Sequence, residues 1–414
     1  MEELSIDLGE GRGTLRGSFD PRFADVAREF ERNFRERDEV GASLCVQLGG
    51  ETVVDLWGGI ADRTKGKAWD RDTVCVVFSS TKGATAMCAH ILASRGQLNI
   101  DAPVAEYWPE FATNGKEKAT VRMMLDHSVG VPTWREPLKE LACTDWDYMT
   151  GRLAAEAPFW EPGSRNGYHM ISFGWTVGEL VRRASGQSLG TFFRKEIAEP
   201  LGADFWIGAP SGIEERVAPV IQFIPPPDQE PTEFTRAILE DRQSIQSLAL
   251  FNNGGFNPNS ADCHAAEIGG GGGIGNGRSL ATIYAPFASG GSLDGRRFVD
   301  ERTLARMARV STATNVDATL LLPTRWGLGF MRSMDNRRRP FGSKDSAIIG
   351  ANAFGHVGAG GSIGFADPSE WLSFGYAMNR MGQGILLNER GQSLVDATYR
   401  ALGFADNDSG EWGR

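Results

Sequence analysis

The sequence predicts an α/β fold of the α+β type, in which an antiparallel sheet built from both chain termini is flanked by helices and a mostly helical lobe is inserted between its halves. Three observations predict it. Two β-rich runs surround Gly49-Gly50 near the start, and two more surround Asp367-Pro368-Ser369-Glu370 near the end. Between them the chain carries helical periodicity interrupted by proline and glycine. Of the 414 residues 41% are hydrophobic and 23% charged, enough apolar material for a large core. The expected division is residues 1–85 and 265–414 for the sheet-containing part and 86–264 for the helical lobe, with the functional site at their junction.

Phe23, Val26, Phe30 and Phe34 recur at helical spacing among charges, so Pro21 to Arg37 reads as an amphipathic helix capped by Asp20. Ser43–Leu48 and Thr52–Trp57 read as a hairpin, and Thr73–Phe78 as an apolar run leading into the first functional segment. Lys82–Arg95 is rich in Ala, Met and Leu and stops at Gly96, which marks a helix. Further helices are expected at Val121–His127, Ile171–Arg183, Leu189–Ala198 and around Glu233–Leu250, after the proline run Pro225-Pro226-Pro227. A glycine run follows at Gly269 to Gly273. Trp326–Phe330, Ser362–Ala366 and Trp371–Met378 read as strands, and Leu387–Leu402 as a closing helix.

Several function classes are excluded at this level. A net charge of −10 argues against nucleic acid and anionic membranes as partners, because both call for clustered positive surface. The N-terminus has no basic start with an apolar signal core, and no stretch reaches the roughly 20 apolar residues of a membrane span, so a cytoplasmic location is expected. Cys45, Cys75, Cys88, Cys143 and Cys263 are widely spaced and read as reduced, buried side chains. The five histidines are scattered without paired spacing, so neither a metal nor another cofactor is expected.

The chemistry starts at Ser79-Ser80-Thr81-Lys82. Positions three apart on a helix share a face, so Ser79 and Lys82 can meet. A serine hydroxyl is a weak nucleophile, and a lysine deprived of water can take its proton. Downstream, a turn-rich loop (Glu161 to Gly167) delivers Tyr168 to the start of an apolar helix; a phenol beside an ammonium ionises more easily and can relay a proton. Near the end stands Gly355-His356-Val357-Gly358-Ala359-Gly360-Gly361-Ser362, whose glycines let a substrate approach a strand edge bearing N–H donors.

These three segments, in this order, resemble the serine β-lactamase and penicillin-binding-protein superfamily, in particular the class C β-lactamase-like branch that includes the family VIII carboxylesterases. The flanking stretches Gly96 to Pro103, Thr120 to Pro132 and Trp326 to Phe330 agree, and the match runs from about residue 20 to the C-terminal helix. The resemblance implies a β-lactamase-like fold in which Ser79 forms the acyl-enzyme, Lys82 takes its proton and Tyr168 shuttles a proton to the leaving group. It places the oxyanion hole at the N–H groups of Ser79 and Ala359, and His356 and Gly358 at the substrate. Whether Lys82 or Tyr168 is the main base stays open at this level. Two departures stand out: Tyr168-His169-Met170 replaces a Tyr-x-Asn or Ser-x-Asn motif, and His356-Val357-Gly358 replaces Lys-Thr-Gly or Lys-Ser-Gly. Both remove groups that would hold a β-lactam or a substrate carboxylate, as in the esterase branch.

Trp134 and Trp160, with Trp146 and Phe159, are the candidate pocket aromatics. His127 reads as a structural residue at a helix end. Gly360-Gly361-Ser362-Ile363-Gly364 and Gly186-Gln187-Ser188-Leu189-Gly190 both match a nucleophile-elbow pattern, but no histidine follows Ser362 and no strand precedes Ser188, so both read as structural turns. The expected function is a serine carboxylesterase acting on a small, short-chain acyl ester. The alternatives are an acyltransferase, a β-lactamase or amide hydrolase with the same residues, and a catalytically silent binding domain.

Overall fold

A computed structural model describes residues 1–414. The chain opens with a hairpin of β1 (Glu2–Asp7) and β2 (Thr14–Phe19), which the sequence reading leaves unassigned. The reason is local: β1 is an edge strand with no buried residue, so it lacks a clear apolar alternation. Asp20 caps the turn Pro21–Phe23 by accepting the Arg22 N–H, and α1 (Ala24–Glu36) follows with Val26, Phe30 and Phe34 buried. β3 (Gly41–Leu48) and β4 (Glu51–Asp62) then form the expected hairpin.

The helical lobe begins with α2 (Thr81–Ser94), which is buried on nearly all sides and so carries no polar stripe. The short α3 (Val121–Leu125) ends just before His127, whose φ of 65° turns the chain away. α4 (Phe173–Ser185) stops at Gly186 in the left-handed region. The single helix expected around Glu233–Leu250 is two helices, Glu233–Glu240 and Ile245–Phe251, because Asp241 is extended and Ser244 caps a new start.

α5 (Gly277–Ala288), unassigned from the sequence, starts at a reciprocal Asn276–Ser279 capping box and tolerates Pro286 inside its last turn. The strand expected at Trp326–Phe330 is instead Thr324–Trp326; Gly327 then closes a turn by donating to the Phe330 carbonyl. β5 (Phe354–Val357), β6 (Ile363–Asp367) and β7 (Leu372–Met378) complete the sheet, and α6 (Glu389–Ala401) closes the chain.

The strands run in the order β1-β2-β4-β3-β7-β6-β5, every neighbour antiparallel. The two ends of the chain therefore meet at β3 and β7, paired from Ala42–Met378 to Leu48–Leu372. α1 and α6 cover one face, over a core that includes Phe30, Leu44, Phe365 and Tyr376. α5 lies across the other face, and its Leu280, Tyr284 and Phe287 join a second core with Met87, Trp108, Phe173 and Phe193 of the helical lobe. No helix is long and apolar enough to cross a membrane. This layering brings the start of α2 against β5, the edge strand at the far end of the sheet.

Candidate active site

Ser79 sits in the single turn Phe78–Ser80 that runs into α2. That turn is anchored on two sides. Val77 N–H donates to the Gly273 carbonyl at 2.9 Å, and Ser362 Oγ donates to the Val77 carbonyl at 2.8 Å. Ser80 Oγ lies 3.1 Å from Ser362 Oγ and donates to the His356 carbonyl at 3.2 Å. Ser362 is therefore a tie between the nucleophile turn and β5–β6, and Ser188 caps the Leu189–Phe193 helix while donating to Glu267. Neither elbow-like pattern is a reactive site; both serines are occupied by structural hydrogen bonds.

Lys82 Nζ is fully buried, 2.9 Å from Ser79 Oγ, and donates to the backbone carbonyls of Met170 and Gly270 (2.6 Å to the latter). No carboxylate pairs with it, and burial pushes its pKa well below the usual lysine value. A neutral amine has two N–H bonds and one lone pair. The two carbonyls take the N–H bonds, which leaves the lone pair for the Ser79 hydroxyl proton. The glycine run noted in the sequence supplies part of this site: a side chain at Gly270 would meet the Ile171 carbonyl at 2.3 Å, so only glycine lets the chain come close enough for the Gly270 carbonyl to accept from Lys82.

Tyr168 is buried, and its ring lies 4.7 Å from Lys82 Nζ. Its backbone N–H donates to Asp317 Oδ1 at 2.9 Å, and Asp317 Oδ1 also accepts from Thr319 and Leu320. The ring stacks on Trp326 at 5.1 Å with an interplanar angle of 8°, and packs against His127 and His356. Burial pushes the phenol pKa up, opposed in part by its hydrogen bond with Ser79. Burial therefore works against the easy ionisation that the sequence suggests for this phenol, and the same burial weakens the ammonium that would promote it.

Three histidines enclose this group. His169 is 2.8 Å from the Gly167 carbonyl through Nδ1 and accepts the Val131 N–H through Nε2, a pattern met only by the neutral ring. His127, expected as a structural residue, accepts the His169 N–H through Nδ1 and lies against both Tyr168 and Trp326. His356 stacks on Trp326, with Nδ1 2.7 Å from the Val357 carbonyl and Nε2 free of any partner. Burial lowers the His356 pKa to about 3.

The structure thus brings Ser79, Lys82, Tyr168 and His356 together. Gly358 is buried against the Ser79 turn, and Ala359 follows it with a backbone N–H that donates to no other backbone group. Trp160 is half-buried, hydrogen-bonded to the Ser128 carbonyl and edge-on to His169. Trp134 is placed differently from the expectation: it has no exposed surface and packs on Trp175 in the lobe core, so it cannot line an open pocket. Trp146 likewise has a structural role, donating to Glu179. The sequence reading missed Asp317, Trp326 in its stacking role, and the two lysine-binding carbonyls. Only the glycine run hinted at any of them.

The geometry has counterparts among known proteins. The family described as Beta-lactamase matches residues 28–396. The esterase/beta-lactamase LipL of Mycobacterium tuberculosis (strain ATCC 25618 / H37Rv) is 36% identical over 378 residues, which span 88% of this chain and 83% of LipL. The crystal structure of a family VIII carboxylesterase is 36% identical, with a TM-score of 0.82 over 94% of this chain and 99% of its own. A penicillin-binding protein homologue from Caulobacter crescentus, 34% identical, superposes with a TM-score of 0.82 over 94% of this chain and 99% of its own. The sheet order, the helical lobe and this agreement along nearly the whole chain lead to one conclusion: the chain belongs to the β-lactamase family.

Proposed function

We propose that this family hydrolase is a serine carboxylesterase that cleaves small, uncharged acyl esters through an acyl-enzyme on Ser79. The observation that carries the proposal is the buried Lys82 amine, 2.9 Å from Ser79 Oγ and without a carboxylate partner, whose pKa burial pushes well down. In acylation Lys82 takes the Ser79 proton as Oγ bonds to the ester carbonyl carbon. The N–H groups of Ser79 and Ala359 receive the oxyanion. When the ester C–O bond breaks, the leaving alkoxide takes a proton from Tyr168, which Lys82 restores. In deacylation water attacks the acyl carbon while the lysine–tyrosine pair takes its proton, and that proton returns to Ser79 Oγ. Lys82 is thus the base and Tyr168 the relay, because burial disfavours both the ammonium and the phenolate at rest.

The substrate class follows from charge. His356 occupies the place of the lysine in Lys-Thr-Gly, and a ring with a pKa near 3 carries no charge at neutral pH. A substrate carboxylate finds no cation in that position. The family VIII carboxylesterase neighbour supports the same reading, and LipL, named esterase/beta-lactamase, supports ester cleavage without separating it from β-lactam cleavage.

The test is hydrolysis of p-nitrophenyl butyrate and of a chromogenic cephalosporin by the wild type and by Ser79→Ala, with folding checked by circular dichroism. The expected result is ester turnover, little cephalosporin turnover, and loss of the esterase in a folded Ser79→Ala. Unchanged esterase activity in that variant removes Ser79 as nucleophile. Cephalosporin turnover without ester turnover moves the assignment to a β-lactamase.

A further inference from the structure

The five cysteines are individually unremarkable in the sequence, and Cys45, Cys75 and Cys88 remain so in the structure: each is enclosed, and burial pushes its thiol pKa up. Cys143 and Cys263 differ. They are 120 positions apart, yet their Sγ atoms lie 3.8 Å from one another. Cys143 belongs to the single turn Ala142–Thr144 and Cys263 to the short helix Ala261–Ala265.

The two sulfurs are not equivalent. Cys263 Sγ accepts the Asn257 N–H at 3.4 Å, with the Cys143 thiol positioned to donate to it as well. These donors, together with Ser260 and the neighbouring His264, pull the Cys263 thiol pKa down, while the same pairing pushes Cys143 up. Cys263, whose sulfur gathers these donors and whose own thiol reaches only the Gly255 carbonyl at 4.0 Å, is thus the one that gives up its proton more easily, and Cys143 the one that keeps it. That is the division of labour of an attacking and a resolving cysteine.

We propose that Cys143 and Cys263 form a peroxide-sensitive dithiol that closes to a disulfide. A sulfur–sulfur bond is about 2.05 Å, so closure requires the two sulfurs to move together by less than about 2 Å. The Cys263 thiolate attacks one oxygen of hydrogen peroxide; the O–O bond breaks and a sulfenic acid forms, with water as the product once the departing hydroxide takes a proton. Cys143 sulfur then attacks Cys263 sulfur; the S–O bond breaks, the S–S bond forms, and the Cys143 proton leaves in a second water. Two thiols are oxidised by two electrons and one peroxide is reduced to two waters. Both residues are almost fully buried, at 2% and 1% exposure, which favours so small an oxidant over a bulky disulfide.

The pair also touches the site. Residues 254–257 contact both cysteines: Cys143 N–H donates to the Gly254 carbonyl at 2.9 Å, and Asn257 N–H donates to Cys263 Sγ. The same loop sets Phe256 edge-on against Phe78, the residue before Ser79, with ring centres 6.5 Å apart. Closure therefore acts on the loop that backs the nucleophile turn.

The test is treatment of the native, reduced protein with hydrogen peroxide, followed by catalase, thiol counting in denaturant and non-reducing peptide mapping. The wild type is expected to lose two of its five thiols, to yield one cross-linked peptide pair containing Cys143 and Cys263, and to regain both thiols with dithiothreitol. In Cys143→Ser, dimedone is expected to capture a sulfenic acid on Cys263. Retention of all five thiols in the wild type overturns the proposal. So does oxidation of Cys263 beyond sulfenic acid without a cross-link, or a loss that falls on the other three cysteines.

Discussion

Lys82 Nζ lies 2.9 Å from Ser79 Oγ with no carboxylate among its partners. An ammonium in that place would be buried without a counter-charge, which costs several kcal/mol, so the group sheds its proton instead. The same burial that destabilises the charged lysine favours its free-amine form, the form that can act as a base.

Lys82→Met is expected to lower kcat/KM for p-nitrophenyl butyrate by about 10³-fold or more, through loss of the base. Its stability profile tests the protonation state directly. The folded-state pKa is depressed, so between it and the ordinary value of 10.5 the unfolded chain binds one more proton. Stability in that window rises with pH by up to about 1.4 kcal/mol per unit, and the contribution is lost as pH falls toward the folded pKa. Urea unfolding followed downward from about pH 10 should show this slope in the wild type minus Lys82→Met difference. A flat difference contradicts a depressed Lys82 pKa.

Tyr168→Phe keeps the stack on Trp326 and removes only the hydroxyl. Activity is expected to drop by about 10² to 10⁴-fold with little change in Tm, measured by steady-state kinetics and thermal unfolding.

Asp317→Ala removes the acceptor of the Tyr168, Thr319 and Leu320 N–H groups. Three buried donors lose their partner, at a cost of about 2–3 kcal/mol or more in stability. Asp317 acts through Tyr168, so kcat should fall more than KM rises; an equal stability loss with unchanged kcat would make its role purely structural.

Gly358→Ala places a methyl group 2.1 Å from the Val77 carbonyl oxygen and 2.2 Å from Ser362 Oγ. The tie between β5 and the Ser79 turn must open. Overpacking of this kind costs about 1–3 kcal/mol, and displacing a nucleophile by about 1 Å costs about 10²-fold in rate. Kinetics beside urea unfolding separates the two effects.

Glu39→Ala tests the sheet rather than the site. Glu39 is buried beneath α6, accepting from Arg390 at 2.8 Å and from the Tyr376 hydroxyl. Removing it leaves an uncompensated buried guanidinium, and unfolding should become easier by about 3–5 kcal/mol.

What the sequence determined by itself was local. Ser79 and Lys82 meet because three residues along a helical turn span a fixed distance, and the Gly49-Gly50 hairpin follows from turn chemistry beside β-rich runs. The order of the Ser-x-x-Lys, tyrosine and His-x-Gly segments was legible for the same reason, since each is carried by contiguous residues. Only the tertiary structure decided the depressed pKa of Lys82, whose carbonyl partners stand 88 and 188 residues away, and the raised pKa of Tyr168. It alone buried Trp134 in the lobe core, seated His127 against Tyr168 and joined Cys143 to Cys263 across 120 residues. Burial and electrostatic field are sums over atoms packed around a group, and most of those atoms arrive from distant parts of the chain.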